Sequence, residues 1–426
     1  MAGFFSMPEL QGKSLEIISS KDRPKCGSCG LFKKCESPKL PAFQAGEDKK
    51  LMIVSESPGE EEDKNGRLMT GRMSKDLLSL LKEAGIQRDD FVLQNALICH
   101  PKGKKVERRH VDYCRPNLLK TIEEEKPKVI ILIGLSAIRS LIPYLWKDHN
   151  IDTNEPWIGW QIPSQKINAW VCPTHHPSII FHLRDNASLS ESYRKIIVRN
   201  FRKAKECLEY PRPWKNKRPV SEKDITILYK SRDIKREIQR FIDRKIPVAF
   251  DYETNCLKPD NKYARIICVS MSDGTNTIVF KVTDEVKLAF ANFLQSDCPK
   301  VGHNTKFEDR WSWRIFKVWP NNVIWCGQTN AHILNNTEGT TSLKFQSFVR
   351  FGQPDYDEKI KPFLYAETGY DKNRIDEVSD KELLLYCGYD SFLEWWEYYH
   401  QSTEARIPVL HTPDEIRLPY NPRIDG

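Results

Sequence analysis

Two groups of residues in this 426-residue chain have the types and spacing to do chemistry. The first is a set of thiols. Cys26-Gly27-Ser28-Cys29 is a C-x-x-C pair, Cys35 follows closely, and Cys99 and Cys114 come later. A C-x-x-C with two distant cysteines offers four thiolates, which suit tetrahedral zinc or an iron–sulfur cluster, and spacing does not choose between them. Cys26 and Cys29 share one tight turn and are the better pair; Cys35 is the surplus member. The second group is acidic. Val248-Ala249-Phe250-Asp251-Tyr252-Glu253-Thr254 puts two carboxylates at i and i+2 of a strand, hence on one face. Like charges at the end of an apolar strand are costly unless cations neutralise them. Glu308 and Asp309 follow in Gly302-His303-Asn304-Thr305-Lys306-Phe307-Glu308-Asp309, and Tyr386 and Asp390 stand at i and i+4 on one helical face.

These residues need elements to position them. From residue 50 to about 207, short apolar runs alternate with helical stretches. Leu51-Met52-Ile53-Val54 reads as a buried strand running into the turn Ser55-Glu56-Ser57-Pro58-Gly59. Residues 74–85 read as a helix, with Leu77, Leu78, Leu81 and Ala84 at helical spacing and a Gly stop. Residues 91–93 and 128–133 read as further strands, and a helix follows from Ser136. The alternation predicts an α/β sandwich with a parallel-rich sheet and ligands at the carboxyl ends of its strands. From Arg194 to Arg218 there are ten basic residues against two acidic ones, punctuated by Pro211 and Pro213. That composition predicts a linker that is also suited to tracking phosphate. Beyond it, strands are expected at 225–229 and 246–250, the latter delivering Asp251 and Glu253, with a helix at 234–242 between them. A hairpin of 265–271 with 277–281 follows, and then mostly helix through Asp390. The expected division is a first domain at 20–207, a linker at 208–221, a second domain at 222–410 and a tail at 411–426.

Composition bounds the function. The formal net charge of +8 is mildly basic, and 11 Trp with 19 Phe argue against disorder. No apolar run approaches the roughly 18 residues of a membrane span, and Met1-Ala2-Gly3-Phe4-Phe5 does not open a secretory signal. A cytoplasmic protein with reduced thiols and no membrane partner is expected. Cys172, Cys207, Cys256, Cys268, Cys298, Cys326 and Cys387 lie among hydrophobic residues and read as small buried thiols.

The first half of the chain resembles the family 4 uracil-DNA glycosylases. Val54-Ser55-Glu56-Ser57-Pro58-Gly59-Glu60-Glu61-Glu62-Asp63 with Gly66-Arg67-Leu68-Met69-Thr70-Gly71 is similar to the family's first motif. Gln94-Asn95-Ala96-Leu97-Ile98-Cys99-His100-Pro101, Cys114-Arg115-Pro116-Asn117-Leu118, Pro127-Lys128-Val129-Ile130 with Gly134-Leu135-Ser136-Ala137, and Pro173-Thr174-His175-His176-Pro177-Ser178 follow in the family's order. The resemblance implies an α/β/α sandwich, and a structural 4Fe–4S cluster on Cys26, Cys29, Cys99 and Cys114. It also implies base-binding roles for Glu62, Met69, Asn95 and His176, and catalytic roles for Glu56, Asn95 and His176. The residue types suit the task. An Asn amide matches uracil O4 and N3–H, a His donor stabilises charge on O2, and a Glu orients water or steadies an oxocarbenium-like sugar. Where the family stacks a Phe on the flipped base, this chain has Met69, whose thioether covers the base without the same π contact. Lys102-Gly103-Lys104-Lys105 with Arg108 and Arg109 is suited to phosphate contact.

Residues 222–400 resemble the DEDDy 3′–5′ exonucleases of the DNA polymerase I proofreading type, which implies an RNase H-like fold. The three motifs are Asp251 with Glu253, the segment Gly302 to Trp311, and Tyr386 with Asp390; Thr341-Ser342-Leu343-Lys344 lies between the second and third. The family's second-motif Asp is Glu308 here, with Asp309 one residue on. By this resemblance Asp251, Glu253, Glu308 or Asp309, and Asp390 hold two Mg²⁺ or Mn²⁺ about 3.5–4 Å apart, and Tyr386 orients the attacking water. The expectation is a replication or repair enzyme combining 3′–5′ exonuclease action with removal of uracil or a related base. It acts on single-stranded DNA or 3′ ends in a bacterial or phage-infected cell, and a separate DNA polymerase is the expected partner because 36 residues after Asp390 are too few for one. The alternative is an exonuclease whose glycosylase-like domain is a non-catalytic DNA-binding module. A zinc site without iron is a third reading.

Overall fold

The computed structural model describes residues 24–44, 49–146, 151–213, 215 and 219–412. Residues 20–23, 45–48 and 147–150 of the expected first domain, 214 and 216–218 of the linker and 413–426 of the tail lie outside them. Two compact units form, one from residues up to Ile142 with Pro173–Lys205, the other from Pro143–Cys172 with the chain from Glu206 onward.

The first unit begins with the one-turn helix α1 (Cys26–Cys29), which Gly30 closes in the left-handed conformation at φ +68°. Its strands are β1 (Phe43–Gln44), β2 (Leu51–Ser55), β3 (Phe91–Asn95) and β4 (Val129–Ile133), ordered β1-β3-β2-β4. β2 lies parallel to both β3 and β4, and β1 is antiparallel to β3. The run Leu51-Met52-Ile53-Val54 is apolar throughout because a parallel strand is covered on both faces, and all four side chains are buried. Between β2 and β3 come α2 (Glu60–Asn65) and α3 (Arg72–Glu83), the latter followed by Gly85 at φ +78°. α4 (Arg108–Glu125) precedes β4, and α5 (Leu135–Leu145) follows it after a turn at Gly134. The register pairs Ser55 with Asn95, so the ends of β2 and β3 deliver their next residues side by side.

β5 (Ile162–Ser164) and β6 (Ala169–Thr174) form an antiparallel hairpin. Residues 143–172 fall in the second unit for a packing reason: Trp146, Trp157 and Trp160 surround Phe345, and Trp146 stacks on Phe348 at 4.8 Å between centroids. Two helices, α6 (Ser178–His182) and α7 (Ala187–Glu206), follow β6.

The second unit holds β7 (Ile225–Ile227), β8 (Val248–Thr254), β9 (Ile266–Ser272), β10 (Thr277–Lys281), β11 (Lys300–Gly302) and β12 (Val323–Cys326). Their order is β12-β11-β8-β9-β10-β7. β8, β9 and β10 make an antiparallel meander; β11 runs parallel to β8 and β12 parallel to β11. A three-strand meander extended by two parallel strands beside its first member is the RNase H-like arrangement that was expected. The strand carrying the paired acids is longer than the 246–250 run of the sequence reading. Its ladder with β9 continues to Thr254, so Asp251 and Glu253 lie within β8.

Helices α8 (Ser231–Arg244), α9 (Asp284–Gln295) and α10 (Lys306–Phe316) contribute to one core with Phe241, Phe250, Phe290, Phe293 and Trp311. α8 outruns its expected 234–242 span and ends where Lys245 turns left-handed at φ +52°. After α11 (Gly327–Leu334), α12 (Leu343–Phe351) and α13 (Lys361–Leu364), the long helix α14 (Asp380–Glu404) builds a second core around Leu384, Phe392, Trp395 and Trp396. No helix among the described residues is long and apolar enough to cross a membrane.

Candidate active sites

Cys26, Cys29, Cys99 and Cys114 converge on one small cavity of about 20 Å³ walled by Leu31, Phe32, Leu97 and Ile98. α1 brings the first pair together in a single turn, the segment after β3 brings Cys99, and α4 brings Cys114. The sulfurs of Cys99 and Cys114 already accept hydrogen bonds, from Lys39 N–H at 3.4 Å and from the Asn117 amide at 3.5 Å. Donors aimed at sulfur favour the thiolate. Burial opposes it, pushing the Cys99 thiol up to about 12 and raising Cys114. Four cysteines lining one cavity offer a set of soft sulfur donors, and a metal centre held by them would displace their thiol protons. Cys35 does not line this cavity; its thiol faces the carbonyls of Leu31 at 3.4 Å and His100 at 3.3 Å.

A second cavity, about 260 Å³, opens at the carboxyl ends of β2 and β3 and is lined by Ser55, Ser57, Met69, Asn95, His176 and Pro177. Asn95 is the last residue of β3 and is 3% exposed. His176 Nδ1 accepts the Ser178 backbone N–H at 3.2 Å and lies 2.8 Å from its hydroxyl. An N–H can only donate, so a neutral His176 carries its proton on Nε2. Burial lowers the His176 pKa, opposed by Glu56.

Glu62 lines the cavity but both of its oxygens are engaged. One accepts Gly59 N–H at 3.0 Å, and the other accepts Met69 N–H at 2.7 Å and the Ser74 hydroxyl at 2.9 Å. It therefore holds the loop that bears Met69. Met69 itself sits at φ +63°, a left-handed conformation costing about 1–2 kcal/mol for an L-residue. Glu56 stands behind the lining, where its Oε1 accepts Ser136 N–H at 2.9 Å. A Cβ at Gly134, which has φ +87°, would come within 2.8 Å of the Glu56 carboxyl carbon. His100, assigned no role from sequence, places Nδ1 2.8 Å from Pro58 O and braces the same turn. In the basic segment, Lys102 pairs with Glu36 at 3.5 Å and Arg109 with Glu107 at 2.9 Å, while Lys104 and Lys105 are exposed.

The acidic set meets at a third cavity, also about 260 Å³, lined by Asp251, His303, Glu308, Lys344, Tyr386, Asp390 and Glu394. Ligand atoms of Asp251, Glu253 and Cys387 lie within 4.8 Å of one another. Of the two adjacent second-motif acids, Glu308 faces the cavity at 2% exposure, whereas Asp309 is half-buried and does not line it. Burial and then neighbouring carboxylates push Asp251, Glu253 and Glu308 well above the usual range. Buried carboxylates with an orphaned oxygen, Glu308 Oε2, fit hard divalent cations.

Several residues here carried no role in the sequence reading. Lys344 Nζ donates to Asp390 Oδ1 at 2.8 Å and to the Tyr386 hydroxyl at 3.4 Å. Tyr356 donates its hydroxyl to the same Asp390 oxygen. His303 Nδ1 lies 2.8 Å from Glu397 Oε2. Burial lowers the His303 pKa, but Glu397 more than offsets that and the net shift is upward. Glu394 and Glu397 were findable by carrying the i, i+4 rule on from Asp390 along α14; Tyr356 left no sequence signal.

The profile of the Uracil DNA glycosylase superfamily matches residues 43–202. A type-4 uracil-DNA glycosylase of Saccharolobus solfataricus is 30% identical over 203 residues, covering 46% of this chain and 87% of that protein. One from Thermotoga maritima is 29% identical over 198 residues, covering 46% of this chain and 95% of its own. The chain thus belongs to the type-4 uracil-DNA glycosylase family. Among solved structures, Escherichia coli RNase D, an exoribonuclease involved in structured RNA processing, is 10% identical with a TM-score of 0.31, over 43% of this chain and 47% of that one. Brucella melitensis NrnC with bound Mg²⁺ is 16% identical with a TM-score of 0.28, over 42% and 78%.

Proposed function

We propose that this chain is a two-activity DNA repair or replication enzyme. The second unit hydrolyses single-stranded DNA from 3′ ends, and the first recognises and removes uracil or a related base. The observation that carries the nuclease reading is the meeting of Asp251, Glu308, Tyr386 and Asp390, from β8, α10 and α14, at one cavity. Asp251, Glu253, Glu308 and Asp390 would hold two Mg²⁺ or Mn²⁺, which when bound neutralise phosphate charge and activate water. The residues of the chain do the rest. Lys344 fixes Asp390, and the Tyr386 hydroxyl beside it orients the water that attacks the terminal phosphodiester. A nucleoside monophosphate leaves. Asp251→Ala is expected to abolish Mg²⁺-dependent digestion of single strands; intact digestion by that variant overturns the assignment. A separate DNA polymerase would supply the 3′ ends.

For base removal, Asn95 reads the Watson–Crick edge of a flipped uracil, and His176 offers Nε2–H to O2 as charge develops there. Glu56 stands near His176 and steadies the cationic sugar. Cys26, Cys29, Cys99 and Cys114 would hold a 4Fe–4S cluster that ties α1 to α4. Base release from a single-uracil oligonucleotide in EDTA tests this activity apart from the nuclease, and Asn95→Ala is expected to lose it.

Met69 favours a second reading, in which the first unit grips DNA without cleaving a base. Uracil binding without release by cluster-loaded protein supports it.

A further inference from the structure

A fourth carboxylate faces the nuclease cavity beside Asp251, Glu308 and Asp390. Glu394 lies one helical turn beyond Asp390 on α14, lines the same cavity and is 4% exposed. Its Oε1 accepts His303 N–H at 3.1 Å. Its Oε2 is buried and has no hydrogen-bond partner among the described residues, and Glu308 Oε2 is in the same condition. Lys344 is the one Lys or Arg lining the cavity among the described residues, and it is bonded to Asp390. The His303 ring is turned to Glu397. Neither available cation is therefore committed to Glu394 or Glu308.

We propose that Glu394 is a metal-facing carboxylate that shares a divalent cation with Glu308 through their two unpartnered oxygens. The inference rests on the metal-dependent nuclease reading. Three simpler roles explain less. Acceptance from His303 N–H uses one oxygen, and a Gln would serve it equally. A carboxylic acid kept neutral in the core would take no cation, so removing its charge by Glu394→Gln would leave metal affinity unchanged. A packing residue at this place would be apolar, since an unpaired buried carboxylate is destabilising. A hard cation held between them would satisfy both orphaned oxygens together. The change at the second motif is consistent with this. Glu308 reaches one methylene further than the Asp of the resembling family, and Glu394 extends the acidic wall from α14.

Mn²⁺ binding to the full-length protein, followed by electron paramagnetic resonance, tests the proposal with wild type, Glu394→Gln, Glu394→Asp and Asp251→Asn. Glu394→Gln keeps the shape and the acceptor for His303 but removes the charge. It is expected to bind Mn²⁺ about tenfold or more weakly, by analogy with the losses on removing metal-supporting groups. The Mn²⁺ needed for half-maximal digestion should rise in parallel. Glu394→Asp, which retains the charge, is expected to fall between the two, and it stands in should the Gln variant not fold by circular dichroism. Wild-type Mn²⁺ affinity in Glu394→Gln, with binding lost in Asp251→Asn, overturns the proposal and leaves the nuclease reading standing. Wild-type affinity in all three variants overturns both.

Discussion

Met69 lines the cavity at the carboxyl ends of β2 and β3. It is buried at 5% exposure, sits left-handed, and is tied down by Glu62. The position is thus fixed by backbone, and the side chain it presents to the cavity is a thioether. Base–aromatic stacking is worth roughly 1–3 kcal/mol per base. Met69→Phe is therefore expected to raise base release in EDTA by about tenfold, read by alkaline cleavage of the labelled oligonucleotide. No change would mean that this side chain does not cover the base. At His176, burial favours the neutral ring and the Ser178 N–H fixes its proton on Nε2. A group whose pKa is lowered is more than half neutral at its ordinary pKa of about 6.5. The rate of base release in EDTA should then titrate with a midpoint below the ordinary pKa of about 6.5, and a midpoint near pH 7 would contradict the assignment.

At the scale of elements, α14 is the organiser of the acidic site. It presents Tyr386, Asp390 and Glu394 to the cavity, while Glu397 turns to His303 and Gln401 bonds back to Glu397 at 2.8 Å. α12 answers with Lys344. The Lys344–Asp390 pair is mostly buried, at 23% and 11% side-chain exposure, and removing one partner of a buried pair costs about 3–5 kcal/mol. Lys344→Met is expected to lower the melting temperature in EDTA, with Mg²⁺ restoring part of it by supplying the missing positive charge. An unchanged melting temperature would show that the pair is not formed. The turn from β4 to α5 has a comparable constraint at Gly134. Its positive φ and the Glu56 side chain above it leave no room for a Cβ, so Gly134→Ala should cost at least about 1–2 kcal/mol.

For the whole molecule, the acidic centre couples stability to pH and metal. Asp251, Glu253, Glu308 and Glu394 all have raised pKa values, each chiefly through burial. The folded state then binds more protons than the unfolded state above the ordinary carboxylate pKa of about 4. Their contribution is fully present below that pH and is lost as pH rises through the raised values. In EDTA the melting temperature should fall as pH rises above the ordinary carboxylate range, and Mg²⁺ should flatten the decline. Asp251→Asn is expected to melt higher than wild type in EDTA at pH 8 although it digests nothing. A lower melting temperature would refute the repulsion argument.

Much of both sites was legible in the amino-acid sequence. Apolar runs marked β2, β3 and β4 because strands covered on both faces must be continuously hydrophobic. The pairs Cys26/Cys29, Asp251/Glu253 and Tyr386/Asp390 were legible because one turn of helix or one pleat of strand fixes their separation. Residues whose partners are distant in the chain were not. The choice of Glu308 over Asp309 depends on which face of α10 the core buries. The engagement of Glu62 by Gly59, Met69 and Ser74 depends on a loop closing on itself. The packing of Trp146 on Phe348 and of Trp157 on Phe345 joins residues far apart in the chain, which no local pattern encodes. Local periodicity encodes elements and the pairs within them. Which carboxylate oxygen is left without a partner, as at Glu308 and Glu394, is decided only when tertiary packing assigns every other donor.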